Sequence, residues 1–288
     1  MGERFEDGFA GRVAVVTGGG DGIGRALVLA LTADGCDVAC CDLTTERVEE
    51  TAALCAAAGN PGEVLALAAD VTDEAQVIAF RDAVAAWRPH VNLLFNIAGI
   101  GGSGSFINTP RAEWERTFAV SWYGVYYNTR AFLDLLLAAD VAQLVNMSSV
   151  KGFWASRGPT RPHTAYSTAK FAVKGFTEGL ITDFRNNAPH VHASVVMPGH
   201  VGTSITVNTM RAHRGEVSPE IAAQAEAFRQ KAPLTAADAA RIILAAVRRD
   251  EWRIFVGDDA KELDEAVRAD PWGAYDPDFA GLVVEEVQ

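Results

Sequence analysis

Seven short apolar or β-branched runs punctuate the chain, with stretches that carry helical signals between them. They lie at Val13–Thr17, Val38–Cys41, Val64–Ala68, Val91–Asn96, Leu144–Ser148, His192–Met197 and Ile254–Val256. This alternation leaves few topologies open, because parallel strands must be joined by long crossovers and those crossovers are usually helices. The runs are nearly unbroken rather than alternating in polarity, as strands covered by helices on both faces require. The expectation is an α/β fold with one doubly wound, seven-stranded parallel sheet.

The boundaries between runs agree with this reading. Asp34-Gly35 and Asn60-Pro61-Gly62 close the first two helices, and Thr72-Asp73-Glu74 opens the third with acids near the positive end of its dipole. Ser218-Pro219-Glu220 offers a cap followed by a first-turn proline, and Thr235 and Asp238 have the spacing of a capping box. No repeat, low-complexity tract or linker interrupts the chain, so a single domain over residues 1–288 is expected. The tail Asp270–Gln288, with Pro271, Gly273 and Pro277, reads as irregular structure.

Charge narrows the function classes. With 25 Lys and Arg against 37 Asp and Glu, the formal net charge is -12 and no basic stripe is present, which argues against a nucleic-acid partner. The most apolar stretch, Ala131 to Val145, carries Asp134 and Asp140, so no membrane span is expected. With Glu3, Arg4, Glu6 and Asp7 at the start no secretory signal is expected, and Glu6 stands where a myristoylation signal needs Ser or Thr, so no lipid anchor is expected. Cys36, Cys40, Cys41 and Cys55 lack zinc-site spacing and are expected as reduced core residues, which fits the cytoplasm; no metal is expected.

Thr17-Gly18-Gly19-Gly20-Asp21-Gly22-Ile23-Gly24 joins the first strand to a helix read over Arg25–Ala33. Glycines allow a tight turn and a close approach of phosphate, and the helix start aims free N–H groups at anionic oxygens. Asp42 follows the second strand, 18 residues beyond Gly24, near the spacing of a ribose-binding acid. A carboxylate there accepts from two ribose hydroxyls and repels a 2′-phosphate, favouring NAD; the alternative is an acid that merely caps the next helix. A P-loop is ruled out because no Gly-Lys-Ser/Thr ends the turn.

Tyr166 and Lys170 stand four residues apart, on one face of a helix. A free phenol has a pKa of about 10, and an adjacent cation favours the phenolate, making proton transfer near neutrality feasible. Ser149 closes Asn146-Met147-Ser148-Ser149 and is placed to donate to a carbonyl oxygen. By itself, a Tyr-to-Lys spacing most often marks a solvated helix face.

Taken together, Thr17-Gly18, Gly22-Ile23-Gly24, Asn96-Ile97-Ala98-Gly99, Ser149, Tyr166–Lys170 and Pro198-Gly199 resemble the short-chain dehydrogenase/reductase family, over about residues 10–257. The resemblance implies a Rossmann-type domain that uses NAD for hydride transfer at a secondary alcohol or ketone. It implies Tyr166 as acid/base, Lys170 as the residue that lowers the tyrosine pKa and holds the nicotinamide ribose, and Ser149 as the group orienting the substrate oxygen. Gly18, Asp21, Ile23 and Gly24 match the phosphate turn, Asp42 and Leu43 the adenosine end, and Asp70 and Val71 the adenine pocket. Asn96, Ala98 and Gly99 match the segment beside the cofactor, and Pro198, Val201 and Thr203 the nicotinamide side. Tyr166 and Lys170 count among the cofactor contacts as well.

The chain departs from the family pattern at Ser121, which stands where an Asn normally holds a water connected to the lysine. A hydroxyl can still bond a water, with a shorter reach. The segment Gly152–Thr164 is longer than usual, with Trp154, Arg157, Pro159, Arg161 and Pro162 before the tyrosine, and is expected to shape the substrate entrance.

The resemblance also implies a substrate lid over about residues 200–231, the alternative being a surface helical hairpin, and a homotetramer formed through the aromatic-rich helices read at Arg111–Leu137 and Ala165–Asn186; the apolar residues of the lid segment, with Phe153 and Trp154, point to an apolar alcohol or carbonyl substrate. The tail is expected to reach a neighbouring subunit. His200 and His213 read as plain surface residues. Two rival readings are an NAD-binding redox regulator with little turnover, supported only by Ser121, and a methyltransferase, which leaves Tyr166 and Lys170 unexplained.

Overall fold

The computed structural model describes residues 5–102, 104–156 and 162–279. All seven expected strands are present: β1 (Val13–Thr17), β2 (Asp37–Asp42), β3 (Val64–Ala68), β4 (Leu93–Asn96), β5 (Ala142–Met147), β6 (Val191–Pro198) and, after two short strands, β9 (Arg253–Val256). They form one parallel sheet in the order β3-β2-β1-β4-β5-β6-β9. The fold is therefore the expected Rossmann-like α/β arrangement, and its strand order reverses between β1 and β4. Ligands of open α/β sheets bind at such a switch point, beyond the carboxyl ends of the strands.

Helices α1 (Gly22–Ala33), α2 (Thr45–Ala57) and α3 (Glu74–Trp87) connect the first four strands. Beyond β4, α4 (Arg111–Phe118) and α5 (Gly124–Leu137) lead to β5, and α6 (Thr164–Asn187) leads to β6. The strands β7 (Val201–Gly202) and β8 (Leu234–Thr235) pair with each other around α7 (Ile205–Arg214) and α8 (Pro219–Lys231). Then follow α9 (Ala236–Arg248) and α10 (Asp258–Ala269).

One face of the sheet, with Ala14 and Val16 of β1, packs against Leu27, Val28 and Leu31 of α1 and Ile243 and Val247 of α9. The other face, with Val13 and Val15, packs against Val84, Phe132, Leu136 and Phe184. β1, β4 and β5 are buried along their whole length, which explains their largely apolar sequences, the amides of Asn96, Gln143 and Asn146 being buried with them. All four cysteines are buried and free. Thr235 and Asp238 make the reciprocal bonds of a capping box, and Ser218 caps α8.

The first helix begins three residues before the expected Arg25, because Asp21 caps it by accepting from the Gly22 N–H at 2.7 Å. The helix expected over Arg111–Leu137 is not continuous: a π turn occupies Ala119–Tyr123. That wider turn holds Ser121 fully buried, with its hydroxyl donating to the Ile100 carbonyl at 3.2 Å. Insertions of this kind leave no trace in hydrophobic periodicity and recur at functional sites.

Candidate active site

The glycine turn sits at the switch point and its backbone leaves no room for side chains. Gly18 has φ of +70°, and a Cβ on it would stand 2.9 Å from the Ala98 Cα. A Cβ on Gly24 would meet the Gly18 carbonyl oxygen at 2.0 Å. The turn thus packs against the Asn96–Gly99 segment and feeds straight into α1, whose first turn holds no acid. A backbone cradle at a helix N-terminus fits the pyrophosphate of a dinucleotide. The nearby Asp21 carboxylate is already engaged by Gly22 N–H, Asn208 Nδ2 at 3.1 Å and Ser204 Oγ at 3.4 Å.

Asp42 ends β2 and braces this turn. Its Oδ2 accepts from Gly20 N–H at 3.1 Å, its Oδ1 accepts from Leu43 N–H at 2.8 Å, and Arg47 Nη1 lies 3.6 Å away. The first residue of α2 follows Thr44, and Asp42 makes no cap to that helix, so the capping alternative is not what its side chain does. Leu43 beside it is exposed.

At the end of β3, Asp70 accepts from the Thr72 N–H and hydroxyl at 2.9 and 2.7 Å and from Arg116 at 3.2 Å. Partial burial pushes its carboxyl up, but these bonds and the guanidinium outweigh that and hold it below the usual carboxylate range. The helix cap itself is Asp73. Val71 is buried, next to Gly124.

Asn96 turns its side chain into the molecule, where Nδ2 donates to Thr129 Oγ1 at 3.0 Å and Asn146 Oδ1 at 2.8 Å. Asn146 continues to Thr177 at 3.0 Å, so a buried amide chain ties β4, β5, α5 and α6 together. Thr17, at the head of the glycine motif but without an expected role of its own, has a hydroxyl that accepts from both Ile97 and Ala98 N–H at 3.0 and 3.1 Å and fixes the segment carrying Ala98 and Gly99. The position of Thr17 was the available signal.

The catalytic candidates converge at the end of β5. Lys170 is 2% exposed, and its Nζ donates to the Met147 carbonyl at 2.8 Å. Burial pulls its pKa from 10.5 down to about 7. Ser148 Oγ donates to the Lys170 carbonyl at 2.8 Å, fastening β5 to α6. Ser149 is buried and accepts from the Lys151 N–H at 3.1 Å, which leaves its own O–H to donate elsewhere.

Tyr166, half-buried in the first turn of α6, places its ring 5.4 Å from Lys170 Nζ and 5.0 Å from the ring of buried His163. His163 was not singled out in the sequence. Gly99 lies against the lysine, its absent Cβ being 3.6 Å from Nζ. Ser121 reaches Ile100 instead of the lysine.

Pro198 ends β6, Val201 is buried in β7, and Thr203 faces Gly22 across the crevice. The segment expected as a lid contains α7 and α8. Its two histidines are not plain surface residues: His213 Nε2 meets Thr117 Oγ1 at 3.2 Å, and His200 Nδ1 meets Asp259 at 2.8 Å. Partial burial lowers the His213 pKa. Trp154 is buried and donates to the Ala274 carbonyl at 2.8 Å, while Arg157, Pro159 and Arg161 of the entrance segment lie outside the described residues. So does the tail beyond residue 279.

A Rossmann-like crevice with a serine, tyrosine and lysine at the end of β5 defines a class of nucleotide-binding α/β oxidoreductases. The family model for short chain dehydrogenases matches residues 12–214, and the chain belongs to that family. It is 35% identical over 261 residues to SadH of Mycobacterium tuberculosis strain H37Rv, covering 90% of this chain and 91% of that one. It is 30% identical to the human dehydrogenase/reductase SDR family member 11, covering 70% of this chain and 76% of the relative. Among solved structures, a short chain dehydrogenase/reductase from Burkholderia phymatum in complex with NAD matches with a TM-score of 0.79 at 29% identity, covering 91% of this chain and 95% of the other. Family membership sets aside the methyltransferase reading, and nothing in these relatives supports a non-catalytic regulator. No helix among the described residues is long and apolar enough to cross a membrane.

Proposed function

We propose that the chain is an NAD(H)-dependent oxidoreductase acting on secondary alcohols or ketones of apolar character. The observation that carries this reading is the lysine: a fully enclosed Lys170, held on the Met147 carbonyl one helical turn from Tyr166 and tied to the strand end that bears Ser149. A salt-bridged surface lysine has no need of such a place. The bound nicotinamide would supply or take up the hydride. Tyr166 would give its phenolic proton to the substrate oxygen in reduction and take it back in oxidation. Lys170, when charged, would favour the phenolate, and the Ser149 hydroxyl would donate to the substrate oxygen as charge develops there.

The glycine turn would hold the pyrophosphate, with Ile23 and Gly24 at the helix start, and Asp42 with Leu43 would meet the adenosine. Asp70 and Val71 would border the adenine. Asn96 would support this segment through the buried amide chain, while Ala98, Gly99, Pro198, Val201 and Thr203 would line the nicotinamide side. Ser121 would act by fixing Ile100 behind Gly99. The NAD complex of the Burkholderia protein and Asp42 together favour NAD over NADP.

Phe153 and Trp154 support an apolar substrate beside Ser149, and residues 200–231 would form the lid. Tyr123, Tyr126 and Phe171 are 41, 40 and 42% exposed beside Trp122 and Phe176, an aromatic surface that supports pairing into a homotetramer. Four free, buried thiols are compatible with the cytoplasm. The decisive experiment is a panel of aryl and alkyl ketones with NADH, run beside Tyr166→Phe. Turnover in the parent alone is the expected result, and a Tyr166→Phe variant as active as the parent would overturn the assignment.

A further inference from the structure

One side chain fastens α7 to the entry of α1 and to α2. Asn208 donates through Nδ2 to Asp21 Oδ2 at 3.1 Å, at the entry of α1, and accepts through Oδ1 from Arg47 Nη2 at 2.8 Å, on α2. The other arm of the same guanidinium points at Asp42, with Nη1 3.6 Å from Oδ1. Arg47 is thus shared between the acid that ends β2 and the helix that overlies the glycine turn. No residue of α7 is fully buried, and only Ala212 packs against the core, so polar ties carry much of its attachment. Its remaining ties, Thr209 accepting from Gly101 N–H at 2.8 Å and His213 with Thr117, hold it to a different wall of the crevice.

We propose that Arg47 and Asn208 form a clasp that links closure of α7 to the absence of a 2′-phosphate on the bound dinucleotide, so that Asp42 is not the sole discriminator between the two coenzymes. The inference rests on the reading that Asp42 faces the adenosine ribose. A guanidinium is a planar fork, and a phosphate dianion is a stronger, bidentate partner for it than a neutral amide oxygen. A 2′-phosphate brought beside Asp42 would be repelled by that carboxylate and would draw Arg47 off Asn208. The clasp would then open and α7 would lose its strut to α2. With an unphosphorylated ribose no phosphate draws Arg47 away from Asn208 and Asp42, and the clasp stays shut. A ligand shifts such an equilibrium only through its unequal interaction with the two states, and the 2′-phosphate supplies that inequality.

The test compares the parent, Asn208→Ala and Arg47→Gln, with NADH and NADPH as probes. Dissociation is read by stopped-flow fluorescence and closure by hydrogen exchange at the amides of residues 205–214. In the parent, NADH should slow exchange in this helix more than NADPH does. Asn208→Ala should speed NADH release about fivefold, the scale of one lost charge-assisted hydrogen bond, and NADPH release less than about twofold. Arg47→Gln should speed NADH release similarly and also weaken NADPH binding. Equal acceleration of both coenzymes by Asn208→Ala, or none for NADH, would overturn the clasp while leaving the coenzyme assignment standing. A parent protein that binds neither probe would overturn both.

Discussion

The Lys170 ammonium nitrogen lies 2.8 Å from the Met147 carbonyl oxygen and is closed off from solvent, so a cationic side chain is held by one neutral acceptor. With its pKa at about 7 against 10.5 unfolded, the folded chain has released this proton between those values while the unfolded chain keeps it. Stability therefore rises with pH across that window. Lys170→Met is expected to abolish this rise, and thermal unfolding of parent and variant at pH 7 and pH 10 measures it. Parallel pH dependence in the two proteins would show that the lysine is not the group responsible.

Tyr166→Phe removes the proton donor and little else. Hydride transfer should fall by at least about 10²-fold, the usual worth of a positioned acid. NADH affinity by fluorescence titration should change less than about threefold, about 0.7 kcal/mol. A large loss of affinity would mean that the tyrosine supports the crevice instead of the chemistry.

Asp42→Ala deletes a carboxylate that braces Gly20 and repels phosphate. The ratio of kcat/KM for NADP to that for NAD should increase by about tenfold or more, and an unchanged ratio would remove Asp42 from coenzyme selection.

Thr17→Val preserves shape but strips the acceptor from two backbone N–H groups, those of Ile97 and Ala98. The expected cost is about 1–3 kcal/mol of stability, read by urea unfolding, because the freed amides lie part-buried. Thr17→Ser should restore most of it.

Gly18→Ala combines a left-handed φ with a Cβ pressed on Ala98. Strain of roughly 1–2 kcal/mol from the backbone alone is expected, together with loss of measurable NADH binding. Gly59→Ala, at positive φ in open space, separates the two causes, since it should lose stability and keep binding.

The sheet was legible in the chain because its central strands are buried on both faces and its edge strands are still largely apolar; β1 and β3 fall on the expected residues. Tyr166, Lys170 and Ser149 were legible for a different reason, as residue types in a fixed order. The π turn at Ala119–Tyr123 was not, since one inserted residue alters hydrogen bonding while leaving apolar spacing nearly unchanged. Nor were Arg47, Asn208 and Thr209, whose partners lie up to 187 residues away and depend on where α7 settles. A single sequence carries no mark of such long-range polar pairs. His200 and His213 failed for the same reason: each is engaged by a partner brought in by the fold.

Trp154, just past the turn Val150–Gly152 that follows Ser149, hangs from the carbonyl of Ala274 by its indole nitrogen, and Ala155 leans on the Tyr275 hydroxyl at 3.2 Å. The segment that follows Ser149 is therefore anchored by residues late in the chain, in a cluster with α10 that is separate from the two cores flanking the sheet. Substitutions at Tyr275 are expected to shift the placement of Ala155 and Trp154 while leaving the glycine turn untouched.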